Sequence, residues 1–157
     1  MADHVLETSF WLPRPRPEVF AFFADPHHLE RVSPASARLR WLVPPPALGV
    51  GAVLDFRVSI LGFRTRWRMV VREWDAPYRF VDAQVLGPFS RWEHRHRFLE
   101  GPEDDRPAAR AGTWVEDRVT YRLPGGALGS TLHALGAERR ILAAFAHRER
   151  RLRVLLG

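Results

Sequence analysis

The sequence predicts an α+β fold, a curved antiparallel β-sheet wrapped around a long C-terminal α-helix, with two short helices after the first strand. Three observations predict it. Apolar and polar residues alternate with period two through most of Gly51 to Leu123, and turn-forming residues interrupt that alternation repeatedly. After Pro124-Gly125-Gly126 the apolar period lengthens to that of a helix. The chain has 157 residues, the size of one compact domain, and 1–157 is read as a single unit.

His4 to Leu12 reads as the first strand, with Val5, Glu7 and Ser9 on one side and Leu6, Thr8, Phe10 and Leu12 on the other. Pro13 and Pro15 break it. Pro17 suits a helix start, Glu18 its first turn, and Val19 to Phe23 its apolar face, before Asp25-Pro26 stops it. A second short helix spans His28 to Val32 and is ended by Ser33-Pro34; the pair His27-His28 reads as a solvated cap region. Arg38 to Val43 is extended, and Pro44-Pro45-Pro46 is a stiff connector.

The meander follows, with turns at Leu61-Gly62, Asp75-Ala76-Pro77, Gly87-Pro88-Phe89 and a polar loop over Glu100 to Arg110. One sheet face carries Leu54, Phe56, Val58 and Ile60, then Thr65, Trp67, Met69 and Val71. The other carries Arg57, Arg64, Arg66, Arg68 and Arg72, so only one face is buried. The last helix is expected over Leu128 to Leu156. Leu128, Leu132, Leu135, Leu142, Phe145, Leu152 and Leu156 form its apolar stripe, with Arg139, Arg140, Arg150, Arg151 and Arg153 largely off it.

Composition narrows the function. All 24 basic residues are arginine, lysine and asparagine are absent, and the net charge is +6. Arginine in place of lysine follows from a GC-rich coding sequence, and the arginines are spread over strand faces and the last helix, so the charge does not predict nucleic-acid binding. No apolar run is long enough to cross a membrane and Met1-Ala2-Asp3-His4 lacks the basic start of a secretion signal, which predicts a cytoplasmic protein without integral membrane association. The absence of cysteine removes thiolate chemistry and disulfides. No serine-nucleophile motif, phosphate-binding glycine loop or dinucleotide fingerprint is present; Gly49-Val50-Gly51 lacks both a third glycine and a following helix. No cofactor is expected.

The residues that carry chemistry lie in Arg91 to Phe98. Trp92, His94, His96 and Phe98 share the inner face, while Arg91, Glu93, Arg95 and Arg97 face water. With Gly87-Pro88-Phe89 as a three-residue hairpin loop, the ladder sets Gln84 opposite Trp92, Asp82 opposite His94 and Phe80 opposite His96. Asp117 shares its face with Val115, Val119 and Tyr121 and also points inward. Asp82, Gln84, His94, His96, Asp117 and Tyr121 thus form one polar cluster.

That cluster has four readings. Its members satisfy one another inside the core; they hydrogen-bond the polar end of an otherwise apolar ligand; or His94 or His96, oriented by Asp82 or Asp117, moves a proton on such a ligand. A metal site of the two histidines and two carboxylates is the fourth, and it has no diagnostic ligand spacing to support it, so no metal is expected. Phe56, Trp67, Met69, Leu135, Leu142 and Phe145 are core by default, and become pocket wall where the space between sheet and helix is unfilled.

The stretch Pro17 to Leu29, the segment Phe80 to Val85 with Gly87-Pro88-Phe89, the run Trp92 to Phe98 and the strand Asp117 to Pro124 carry a resemblance across nearly the whole chain. It resembles the START-type, helix-grip (SRPBCC) superfamily, with Pro17 to Leu29 similar to that superfamily's early helix pair, and in the segments from Phe80 onward it resembles a bacterial ligand-binding branch. The resemblance implies a cavity between sheet and C-terminal helix for a small hydrophobic or amphipathic molecule, lipid-like, polyketide-like or isoprenoid-like. Some members are aromatases, cyclases or dehydratases, which is the alternative implied for this chain.

Overall fold

The structure is a computed structural model that describes residues 3–60, 62–105, 110–125, 131 and 136–157. Seven antiparallel strands form one sheet in the order β1-β7-β6-β5-β4-β3-β2. They are β1 (His4–Leu12), β2 (Arg40–Trp41), β3 (Val53–Ile60), β4 (Phe63–Asp75), β5 (Arg79–Leu86), β6 (Arg91–Pro102) and β7 (Ala111–Arg122). Helices α1 (Arg16–Ala24) and α2 (His28–Val32) follow β1, and α3 (Glu138–Leu156) closes the fold. The meander runs outward from β7, and β1 returns to pair with β7, from His4 opposite Tyr121 to Leu12 opposite Thr113.

The expected faces are the observed ones. Phe56 and Val58 of β3 and Trp67, Met69 and Val71 of β4 are buried, whereas Arg57, Arg64 and Arg72 are exposed. A register shift between Val71 and Glu73 inserts Arg72 as an extra residue, a bulge that returns Trp74 to the core face three positions after Val71. Trp74 there meets Phe20 of α1 edge-on and tilts against Phe80. The outer face also holds a buried charge that its pattern conceals. Asp55 accepts paired hydrogen bonds from Arg66 and from Arg68, which hold its carboxyl well below the usual carboxylate range.

Three expectations are corrected. The extended segment Arg38 to Val43 pairs only at Arg40–Trp41, because Arg38 takes a left-handed conformation after a 3-10 turn at Ala35–Ala37. The loop expected over Glu100 to Arg110 is shorter, since β6 and β7 stay paired to Pro102 opposite Ala111. Two indole N–H groups hold that extension, Trp11 donating to Gly101 O and Trp114 to Pro102 O. The Gly87-Pro88-Phe89 turn takes in Ser90 as well, and the β5–β6 pairing ends at Ala83 opposite Glu93, short of Gln84 and Trp92. Of the helical stripe, Leu128, Leu132 and Leu135 lie outside the described residues, as does Leu61.

Two apolar clusters make the core. One gathers Phe56, Trp67, Met69, Trp92 and Tyr121 under Ile141 of α3; the other gathers Phe20, Phe80, Phe98 and Val115 under Leu152. Along β6, His94 and His96 fall between Trp92 of the first cluster and Phe98 of the second, and along β7 Asp117 falls between Val119 and Val115. The polar residues therefore sit where the apolar filling is interrupted.

Candidate functional site

Phe80 opposite His96 and Asp82 opposite His94 are the observed pairs, as the hairpin ladder predicts. The hydrogen bonds run diagonally instead. His96 Nε2 bonds Asp82 Oδ2 at 2.9 Å, and His94 Nε2 bonds Asp117 Oδ1 at 2.8 Å. His96 Nδ1 lies 3.2 Å from Asp117 Oδ1 without hydrogen-bond alignment. Asp117 Oδ2 also accepts from Thr8 Oγ1 at 3.3 Å and from the Arg148 guanidinium of α3. The two imidazoles lie 3.7 Å apart between centroids, and His96 stacks on Phe80 at 4.0 Å.

A carboxylate can only accept, so His94 Nε2 carries a proton toward Asp117. Burial first, and then the positive charge of His96, lower the His94 pKa to about 4. At neutral pH His94 is therefore uncharged, with its lone pair on Nδ1. Burial opposes the charged form of His96 too, but the nearness of Asp117 and the hydrogen bond to Asp82 outweigh it and raise its pKa. For Asp117, burial is overcome by the Arg148 guanidinium and by both histidines, which hold the carboxyl well below its usual range. Asp82 and Asp117 thus face the Arg148 guanidinium and two imidazoles in a buried setting.

These shifts set an acid sensitivity. His94 has a folded pKa below its ordinary 6.5, so its contribution is present above pH 6.5 and is lost as the pH falls toward 4. The contribution of Asp117 is lost only below its ordinary 3.8, whereas that of His96 is complete below pH 6.5 and is lost as the pH rises above it. The expected result is a fall of about 3 kcal/mol in unfolding free energy between pH 6.5 and 4 from His94. His94→Gln should flatten that part of the profile in urea titrations; an unaltered slope would show that His94 is not the group responsible.

Beside the network lies a chamber of about 250 Å³ between the sheet, α1, α2 and α3. Of the residues expected at a ligand site, Phe56, Trp67, Met69, Phe80, Asp82, Trp92, His94, His96 and Phe145 line it. The others are placed differently. Gln84 clasps its own turn, donating from Nε2 to Phe89 O at 2.6 Å and accepting from Phe89 N at 3.3 Å. Phe98 and Tyr121 are fully buried in the two apolar clusters, and Asp117 sits behind the histidines. Leu142 is 42% exposed, turned about a quarter of the way round α3 from buried Ile141 and Leu152, and Leu135 is outside the described residues.

Two wall residues escape a reading of the sequence. His28 is not a solvated cap: its Nδ1 lies 2.9 Å from Phe22 O, its ring stacks on Phe22 at 4.0 Å, and it lines the chamber. Arg148 is hidden among the helix arginines, although it falls three residues after Phe145 and four before Leu152, on the apolar stripe itself. That position is the available signal. Its guanidinium lies over Phe145 at 5.0 Å and over Phe23 at 5.4 Å before reaching Asp117.

Asp82, His94 and His96 each bring one donor atom within 4.8 Å of the others, a set that suits a divalent ion by type. The Nε2 atoms of both histidines are engaged by carboxylates, His96 with Asp82 and His94 with Asp117, which leaves only the Nδ1 atoms to such an ion. A shallow depression of about 550 Å³ along Val43 to Val53 is also present, and no ionisable side chain lines it.

A curved sheet that grips a long helix and leaves a partly polar chamber between them defines the class of helix-grip, START-like domains. The chain belongs to the polyketide cyclase / dehydrase and lipid transport family, whose model matches residues 12–148. TTHA0849 from Thermus thermophilus has a similar structure, at 20% identity, TM-score 0.71, and coverage of 98% of this chain and 100% of that one. CV1439 from Chromobacterium violaceum is similar at 12% identity and TM-score 0.70, covering 97% and 96%. Ginseng major latex-like protein 151 from Panax ginseng is similar at 14% identity and TM-score 0.68, covering 99% and 98%. No curated protein matches the sequence. No described helix is long and apolar enough to cross a membrane.

Proposed function

We propose that the protein binds a small hydrophobic or amphipathic molecule in the chamber, its apolar body against Phe56, Trp67, Met69, Trp92 and Phe145 and its polar end at His94, His96 and Asp82. The observation that carries this is a largely apolar wall in which His94, His96 and Asp82 lie together. A lone pair on His94 Nδ1 accepts a hydrogen bond from a ligand hydroxyl, and the carboxylates fix both imidazoles so that little ordering is required on binding. The family description, which includes lipid transport, supports a ligand of this kind. Native mass spectrometry of the protein purified from its own host should show a retained small molecule that leaves on denaturation. A mass equal to the bare chain, with no binding of apolar probes, would refute the reading.

The same Nδ1 lone pair favours a second reading, in which His94 is a general base for a cyclisation or dehydration. His94→Ala separates the two. A catalytic role predicts abolished turnover with ligand affinity within about tenfold of wild type, roughly 1.4 kcal/mol. A binding role predicts that affinity is lost.

A further inference from the structure

A second and larger space adjoins the chamber. A vestibule of about 840 Å³ shares Val58, Trp67, Trp92, Ala144 and Phe145 with the chamber wall, so the two are contiguous. Small-molecule sites commonly occupy about 300 to 1,000 Å³. At about 250 Å³ the chamber falls below that range, so a ligand of ordinary size seated in it extends into the vestibule.

The vestibule has a chemistry of its own. Arg38, Arg140, Arg150 and His147 line it, and no Asp or Glu does among the described residues. Elsewhere some surface arginines are matched, Arg91 and Arg122 with Asp3, Arg79 with Glu73 and Asp75, Arg118 with Glu7, Arg153 with Glu149, and others, such as Arg57, Arg64 and Arg72, stand in open solvent on the outer sheet face. Arg38, Arg140 and Arg150 have no carboxylate within ion-pair distance among the described residues. At the inner end, by contrast, the arginine is paired, Arg148 with Asp117. Arg140 lies eight residues before Arg148 on α3, about 12 Å along the helix axis.

Resting on the chamber as the ligand site, we propose that the ligand is an amphipathic anion: its negative head group sits at the vestibule, in the positive field of the Arg38, Arg140 and Arg150 that line it, and its apolar body reaches inward to His94 and His96. Unmatched guanidinium groups beside an apolar wall attract a carboxylate, sulfate or phosphate monoester, and a cationic amphiphile is repelled there. A free amphiphile and an anionic membrane surface both offer this head group. The apolar depth behind the arginines favours the free molecule.

The experiment compares dodecanoate, dodecanol and dodecylamine by quenching of tryptophan fluorescence, in the wild type and in the double variant Arg140→Gln, Arg150→Gln. The wild type should bind dodecanoate about tenfold more tightly than dodecanol, with dodecylamine weakest. In the double variant the carboxylate and alcohol should come within about twofold of each other, with dodecanol affinity unchanged. Added salt should close the same gap in the wild type. Equal binding of acid and alcohol by the wild type, or an unaltered preference in the variant, would overturn the head-group assignment and leave the chamber intact. Failure of all three probes to bind would overturn the chamber reading and this one together. Arginine-dependent sedimentation with phosphatidylserine-containing vesicles, without preference for free dodecanoate, would assign the arginines to a membrane surface instead and overturn the proposal.

Discussion

Asp117→Ala is expected to lower folding stability by about 3–5 kcal/mol, the cost of leaving a buried charge without its partner. Asp117 is the hub of the network, accepting from His94, from Arg148 and from Thr8, with His96 Nδ1 beside it. Its loss strands the Arg148 guanidinium, which lies over Phe23 and Phe145, and removes one of the two groups that raise the His96 pKa. The double variant Asp117→Ala, Arg148→Met removes both charges and should recover part of the loss, with a coupling of about 0.5–3 kcal/mol. Urea denaturation of the four proteins in that cycle measures it. Additive losses would show that Arg148 and Asp117 do not act as a pair.

Phe98→Ala should cost a comparable amount, about 3–5 kcal/mol, for a different reason. Phe98 is 0% exposed, with Phe20 and Phe23 edge-on at 5.3 and 5.1 Å and Phe80 stacked at 6.2 Å. Close-packed rings from α1 and β5 cannot collapse fully into the space of a missing phenyl group, so a cavity term adds to the lost apolar burial. Because Phe98 sits in the second cluster and not in the chamber wall, affinity for an apolar probe should stay near the wild-type value at temperatures where the variant is folded. A large loss of affinity with little loss of stability would instead return Phe98 to the ligand site.

Most of this architecture is legible in the sequence because burial on one sheet face imposes period two and burial along one helix imposes a longer period. Those periods place Trp92, His94, His96, Asp82 and Asp117 on one face, and the hairpin ladder pairs Phe80 with His96 correctly. Periodicity does not give bond direction. Backbone pairing sets Asp82 opposite His94, yet side chains lean along their strands, so each histidine reaches the diagonal carboxylate. Nor does it reveal where space is left. Met69 and Phe145 bound a void, whereas Phe98 and Tyr121 fill one, and the four look alike in sequence. Arg148 is obscured because one arginine among many on a helix reads as solvated; its place on the apolar stripe is the signal, and its contact with Asp117 gives that place a meaning. Gln84 leaves the polar cluster because a turn with a free backbone N–H and C=O competes for the same amide.

The chamber itself is most directly tested by filling it. Ala144 lines both chamber and vestibule from α3 and is exposed to them, so Ala144→Trp places an indole in the ligand's space with little disturbance to the core. The dissociation constant of a neutral apolar probe, N-phenylnaphthylamine, is compared between wild type and Ala144→Trp, with thermal unfolding as the control for folding. Saturable binding to the wild type, weakened by about tenfold or more in a variant that melts at the wild-type temperature, is the predicted result. An unchanged dissociation constant in the folded variant would place the ligand somewhere other than between the sheet and its helix.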